Sequence, residues 1–323
     1  FGPLVKTYMT RCIHCTRCVR FMEEVAGAPV LGATGRGEDT EITTYIENGI
    51  ASELSGNIID LCPVGALTSK PYAFVARPWE LKKTESIDVM DAVGSNIRVD
   101  ARGREVLRVL PRLHEDVNEE WISDKTRFAV DGLTRKRLDK PFVRRDGKLT
   151  QASWADVLAA VAERLHARGG DKIAAIAGDQ VDCETMFAMS SLMRTIGSPN
   201  MDCRQDGMAF EPGVRASYLF NSTIAGIENA DACLLIGCNP RQEAALVNAR
   251  LRKRWMRGGF KVASVGPQLD LTFPVNHLGA GPDSLRHLAA GEGEFAAVLK
   301  NAERPLVIVG AGALSRSDGA AVL

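Results

Sequence analysis

The apolar positions follow two different periods, and the period changes along the chain. Near the start, Cys18, Phe21, Met22 and Val25 stand at i, i+3, i+4 and i+7, one stripe of a helix, and Gly27 follows as its C-cap. Residues 27–50 are rich in Gly and Thr and read as loops with short strands. The run 58–67 contains Pro63, which ends any helix before it and keeps Cys62 extended. From about residue 78, runs at 86–90, 96–100 and 105–110 read as strands, the last two a hairpin turning about Arg102-Gly103. Further on, Ser153 caps a helix with Asp156 at its third position, and Leu158, Val161, Ala162 and Leu165 form its apolar face. Short apolar strands at 173–177, 232–237, 261–265 and 306–309 then alternate with helical stretches such as 184–196 and 243–256. Strands alternating with helices imply a parallel sheet covered on both faces. The expected fold class is α/β, in three parts: a small ferredoxin-like domain over 1–77, a small β-rich domain over 78–136, and an α/β domain with a mostly parallel sheet over 137–323.

Cysteine spacing adds chemistry to the first part. Cys12, Cys15 and Cys18 are separated by two residues each, and a remote Cys62 is followed at once by Pro63. Three thiols this close cannot all pair as disulfides, but they can wrap one thiophilic metal centre. C-x2-C-x2-C with a remote Cys-Pro is the ligand pattern of a cubane iron–sulfur cluster, one thiolate for each iron. In two-cluster ferredoxins the fourth Cys follows closely and serves the other cluster; here there is no second triplet, so Cys62 is assigned to the same 4Fe–4S cluster. The competing reading is a structural zinc site, which usually joins C-x2-C to a second such pair or to histidines and fits a tandem triplet poorly. With four thiolates in place, His14 is read as a loop side chain or a hydrogen-bond donor to the cluster. Arg11, Arg17 and Arg20 either favour the reduced cluster or are ordinary solvated charges. The helix opening at Cys18 can turn its amides and dipole toward an anionic centre.

Composition narrows the picture. The chain has 323 residues, 45% of them hydrophobic and 25% charged, with 40 basic and 40 acidic side chains. Zero net charge argues against a general nucleic-acid binder. The longest apolar runs are too short to span a bilayer, no signal peptide is visible, and the cysteine usage fits a reducing compartment. Starting at Phe1 without Met and stopping at Leu323 inside an element, the chain reads as a fragment cut at both ends.

Other motifs carry less. Val309-Gly310-Ala311-Gly312, with Ser315 in place of a third Gly, is half a dinucleotide fingerprint. Gly237-Cys238-Asn239-Pro240 ends a strand where parallel sheets hold ligands, and reads first as a tight turn. Cys183, Cys203, Cys233 and Cys238 are read as small core or turn residues. His114, His166, His277 and His287 show no acid or nucleophile partner. No residue is assigned as catalytic.

Residues 11–21, the stretch from Glu53-Leu54-Ser55-Gly56-Asn57 through Cys62-Pro63-Val64-Gly65-Ala66-Leu67 to Tyr72, residues 83–96 and residues 118–128 closely resemble the large iron–sulfur subunit of respiratory complex I, NADH–quinone oxidoreductase, in its mitochondrial and alphaproteobacterial branch. The resemblance covers nearly the whole chain. It implies an electron-transfer subunit that relays electrons from NADH and flavin toward ubiquinone, within a complex that translocates protons. It implies one 4Fe–4S cluster on Cys12, Cys15, Cys18 and Cys62, and a 2Fe–2S and a second 4Fe–4S cluster in a segment N-terminal to this one. It implies partners among the other peripheral-arm subunits, including the flavin subunit and the quinone-proximal cluster subunits, with no nucleic acid and no membrane span. The implied location is the peripheral arm, on the cytoplasmic face of a bacterial inner membrane or the matrix face of the mitochondrial one. The α/β part is similar to molybdopterin oxidoreductases, and the alternative reading is a molybdopterin enzyme of the formate dehydrogenase kind. Molybdopterin enzymes and some bacterial members carry a further cysteine set at the start of the β-rich domain; this chain has no Cys between Cys62 and Cys183, so that cluster is expected to be absent. Aligned on Pro212, the place of the molybdenum ligand falls at Ala209, with Phe210 and Glu211 following. No molybdenum is therefore expected, although Asn239-Pro240 keeps a piece of the pterin-binding turn.

Overall fold

The computed structural model describes residues 1–45, 48–203, 207–210 and 213–323. They form two units: Phe1–Asp131 together with Ala209–Leu323, and Gly132–Met208.

In the first unit, the strand Val5–Thr7 pairs antiparallel with Leu67–Ser69, Val5 opposite Ser69. Val5 and Leu67 are both buried, so this short ladder fastens the two ends of the cysteine-bearing segment to one core. The stripe beginning at Cys18 is a helix as expected, but in two forms. Arg17–Arg20 is α-helical and Phe21–Val25 is a π-turn, closed by a bond from the Ala26 amide to the Phe21 carbonyl. Phe21 and Met22 point into a core shared with Leu54, Ile58, Ala245 and Leu246. Gly27 follows at φ +65°, a left-handed turn that favours glycine. The Gly/Thr-rich stretch contains a hairpin, Leu31–Thr34 with Glu41–Thr44.

The β-rich part is a three-stranded antiparallel sheet of Lys82–Ile87, Asn96–Arg102 and Glu105–Pro111, with Gly103 at φ +60° in the expected hairpin turn. The first strand lies at 82–87 rather than 86–90. Asp88 turns inward, accepting from the Met90 amide and from Thr126 Oγ1, and this stops the strand.

The four-stranded sheet runs Asn276–His277, Lys261–Val265, Ala232–Ile236, Pro305–Val309, all parallel. Every residue of Ala232–Ile236 is buried, as a central strand covered on both faces requires. Cys233 and Leu235 pack with Leu251, while Leu234 and Ile236 pack with Phe295 on the other face. The α/β expectation with a mostly parallel sheet holds here.

The second unit differs more from expectation. Ser153 and Asp156 do form a capping box at the start of the helix Trp154–His166. No residue of that helix is buried, and Leu158 and Val161 are 61% and 47% exposed. The strand expected at 173–177 shrinks to Ala175–Ile176, which among the described residues pairs only with Met201–Asp202. A two-residue sheet offers too little surface to cover a helix face.

Candidate metal centre

Cys12, Cys15, Cys18 and Cys62 line one small cavity, walled also by Met9, Ile42 and Leu67. The chain achieves this by unusual local geometry. His14 and Thr16 both adopt left-handed backbone angles, φ 53° and 58°, which curl the loop between the first three cysteines. Two amides already point at sulfur: His14 N–H donates to Cys12 Sγ at 3.4 Å, and Leu67 N–H to Cys62 Sγ at 3.4 Å. Cys62 sits at φ −76°, ψ 108°, just past the helix Asn57–Leu61, extended as Pro63 demands. Cys15 is exposed and the other three are half-buried.

Burial pushes the Cys18 thiol up, its own and the Val19 amide pull it down, and the nearby Cys15 and Cys12 raise it again. A set of mutually repelling thiolates needs cationic metal to stabilise it. Among the described residues, no three His, Cys, Asp or Glu side chains converge as on a single ion. Four thiols spread around a void, with amides aimed at two sulfurs, suit a polynuclear centre with a metal for each thiolate.

The three nearby arginines separate. Arg17 lines the cavity, Arg11 lies over the Tyr8 ring with 5.2 Å from Cζ to its centroid, and Arg20 pairs with Glu24 at 3.2 Å. His14 contributes its backbone amide.

Among the described residues, the remaining chemistry-bearing side chains do not assemble a second such site. Cys233 is buried in its strand, and burial pushes Cys238 up to about 12. Of the four cysteines read as core or turn residues, Cys183 and Cys203 are exposed, Cys183 at the start of the helix Cys183–Thr195 and Cys203 just past the strand Met201–Asp202. His287 does have an acid partner: its Nδ1 lies within hydrogen-bond distance of the Glu292 carboxyl on the exposed surface. The Val309-Gly310-Ala311-Gly312 turn opens only a four-residue helix, Ala311–Leu314. A cavity of about 250 Å³ lies at the strand ends beside Gly237 and Gly266. Asn239 Oδ1 is buried with no hydrogen-bond partner among the described residues. Ala209 donates its amide to Leu314; Glu211 and Pro212, on which its alignment rests, lie outside the described residues.

Three family models match the chain. Residues 2–68 match the NADH-quinone oxidoreductase subunit 3 ferredoxin-like domain, and residues 81–131 the NADH-ubiquinone oxidoreductase NDSU1/NuoG-like 4Fe-4S domain. Residues 137–323, more than half of the chain, match molybdopterin oxidoreductase. Curated relatives agree. The NADH dehydrogenase (ubiquinone) iron-sulfur protein 1 of Solanum tuberosum mitochondria is 55% identical over 99% of this chain and 44% of its own length. An NADH-quinone oxidoreductase subunit of Rickettsia felis is 51% identical over 100% of this chain and 48% of its own. This chain belongs to the family of large iron–sulfur subunits of NADH–quinone oxidoreductase. Its residues 137–323 belong to the molybdopterin oxidoreductase family. The chain spans less than half the length of these relatives. Within this family, the segment matched as a 4Fe-4S domain at 81–131 contains no cysteine in this chain.

A set of ion pairs, not foreseen from sequence, joins distant segments of the first unit. Arg241 bonds Glu53 and Asp270, while Arg250, Lys253 and Arg257 surround Glu228. Burial pushes the Glu228 carboxyl up, but the bonds from Lys253, Arg250 and Arg257 outweigh it and hold it at about 2.

Proposed function

We propose that the chain is an electron relay of NADH–quinone oxidoreductase, with one 4Fe–4S cluster bound by Cys12, Cys15, Cys18 and Cys62. The observation that carries this is the single cavity lined by all four thiols. When bound, such a cluster supplies a one-electron couple. The chain's own part is to hold it. Cys12, Cys15, Cys18 and Cys62 would supply one thiolate for each iron, leaving no coordination place for a substrate. The amides of His14 and Leu67 donate to ligand sulfurs, which stabilises the more negative state. Met9, Ile42 and Leu67 restrict water on the inner side.

The matched ranges support a division of the chain by descent into 1–77 for the cluster, 78–136 for the β-rich part and 137–323 for the α/β part. The α/β part binds no molybdenum in this reading, because Ala209 has no donor atom. Among the described residues no helix is long and apolar enough to cross a membrane, which agrees with a place in the peripheral arm, beside flavin- and cluster-bearing subunits. NADH oxidation, quinone reduction and proton translocation are assigned to the whole complex.

Elemental analysis of the anaerobically isolated native protein tests the proposal. Iron and acid-labile sulfide in equal amounts, lowered by four of each in Cys15→Ala, support it. Zinc replacing iron at this site, or stoichiometric molybdenum, sinks it.

A further inference from the structure

The helix Ala245–Met256 buries Ala245 and Leu246 against the same core as Phe21 and Met22. From this helix Arg252 reaches the far end of the segment that starts at Cys18. Its Nη2 donates to the carbonyl of Glu23 at 2.8 Å and its Nε to the carbonyl of Glu24 at 3.1 Å. Its Nη1 donates to the carbonyl of Thr272. Carbonyls in the last turn of a helix lack a partner within it and must find one elsewhere. The guanidinium is a rigid planar fork that meets several carbonyls at once, which a lysine ammonium on a flexible stem does not. The fit is close: a Cβ on Gly27 would sit 2.6 Å from Thr272 Oγ1 and 2.8 Å from Arg252 Cζ.

Between Cys18 and the braced carbonyls the backbone is continuously hydrogen-bonded. The Arg20 amide bonds Thr16 and the Ala26 amide bonds Phe21. Displacement at Glu23 and Glu24 is therefore passed along the helix to Cys18 rather than absorbed by a loop.

We propose that Arg252 is a positioning residue for the cluster: it braces the helix that carries Cys18 and so holds that thiolate in place from the α/β part of the chain. This rests on the cluster assignment above. It gives the molybdopterin-oxidoreductase-like part a task at the redox centre that needs no ligand of its own.

The test uses the native protein, anaerobically isolated, and follows the paramagnetic resonance signal that Cys15→Ala abolishes. Release of that cluster is timed under an iron chelator. Arg252→Met should release it roughly tenfold faster, the low end of what losing an outer-shell partner costs a metal site, and should alter the g-values. Arg252→Lys should fall between Arg252→Met and the parent. Arg254→Met is the control for general loosening, because Arg254 leaves the same helix but bonds Ala230 and Gly258. Unchanged release and g-values in both Arg252 variants overturn the inference, as does equally fast release from Arg254→Met. If Arg252→Met does not accumulate, Arg252→Lys decides alone, by the same release and g-value criteria. Absence of any Cys15-dependent signal in the parent overturns the cluster assignment itself.

Discussion

Two neighbouring segments of this chain match iron–sulfur domains, and only one has the residues to be one. Residues 2–68 bring four thiols to one cavity. Residues 81–131 contain no cysteine. The second segment is held by polar networks instead. Asp100, fully buried, takes paired bonds from Arg98 and a further one from Arg108. Asn118, also buried, accepts from the Asn96 amide and donates to the carbonyl of Arg112. The two segments are tied through Asn57, which donates to and accepts from the backbone of Ile122. A domain can keep its fold after its metal is gone if buried hydrogen bonds and ion pairs hold the loops. In the first segment the left-handed His14 and Thr16 instead curl the loop around the four thiols, a geometry that the proposed cluster would hold in place.

That contrast predicts opposite responses to metal loss. The largest effect is expected from Cys62→Ala or from chelation under reducing conditions. Amides of residues 5–25 should then exchange freely with solvent, while the sheet 82–111 keeps its protection. Hydrogen exchange with mass spectrometry checks this, and equal loss of protection in both segments would erase the distinction. Next is Asp100→Ala, which leaves two partly buried guanidinium groups without their partner. It should cost about 3 kcal/mol in denaturant unfolding without changing iron content. A normal midpoint, or lost iron, would contradict the division of labour.

Acid sharpens the comparison further. The Asp100 carboxyl is pushed up by burial but held below its usual value by Arg98 and Arg108, and Glu228 is held at about 2. Carboxyls depressed in the folded state contribute stability above their unfolded pKa, and that stability fades as pH falls through the folded one. For Glu228 the loss should run from about 4.5 down to about 2. Removing the titrating charge with Glu228→Gln should lower stability at neutral pH and flatten its decline below pH 4.5, measured by thermal unfolding across that range. The smallest effect is expected from Arg20→Ala. Its pairing with Glu24 is solvent-exposed, worth under about 1 kcal/mol, and the cluster signal should be unchanged.

Much of this is legible in the sequence, and the reasons are local. Cysteine spacing marks the four candidate ligands, and Pro63 the extended geometry of Cys62. The apolar run at Ala232–Ile236 marks a doubly covered strand. What escapes are features set by contacts between distant segments. Nothing at residues 21–25 announces a π-turn, and nothing in Arg252 announces that it meets Glu23 and Glu24 across the core. The first strand of the β-rich part lies earlier than its pattern suggests because Asp88, a residue of ordinary appearance, finds a buried partner in Thr126. The helix Trp154–His166 shows the converse. Its apolar stripe and cap are plain in sequence, yet its unit buries none of it.

Cys12, Cys15, Cys18 and Cys62 are proposed to hold one 4Fe–4S cluster. Low-temperature paramagnetic resonance of the reduced native protein, compared with its Cys62→Ala and Cys203→Ala variants, tests it most directly. One cluster signal should vanish in Cys62→Ala, and the full spectrum should survive in Cys203→Ala. An unchanged spectrum in Cys62→Ala, or a signal lost in Cys203→Ala, would contradict it.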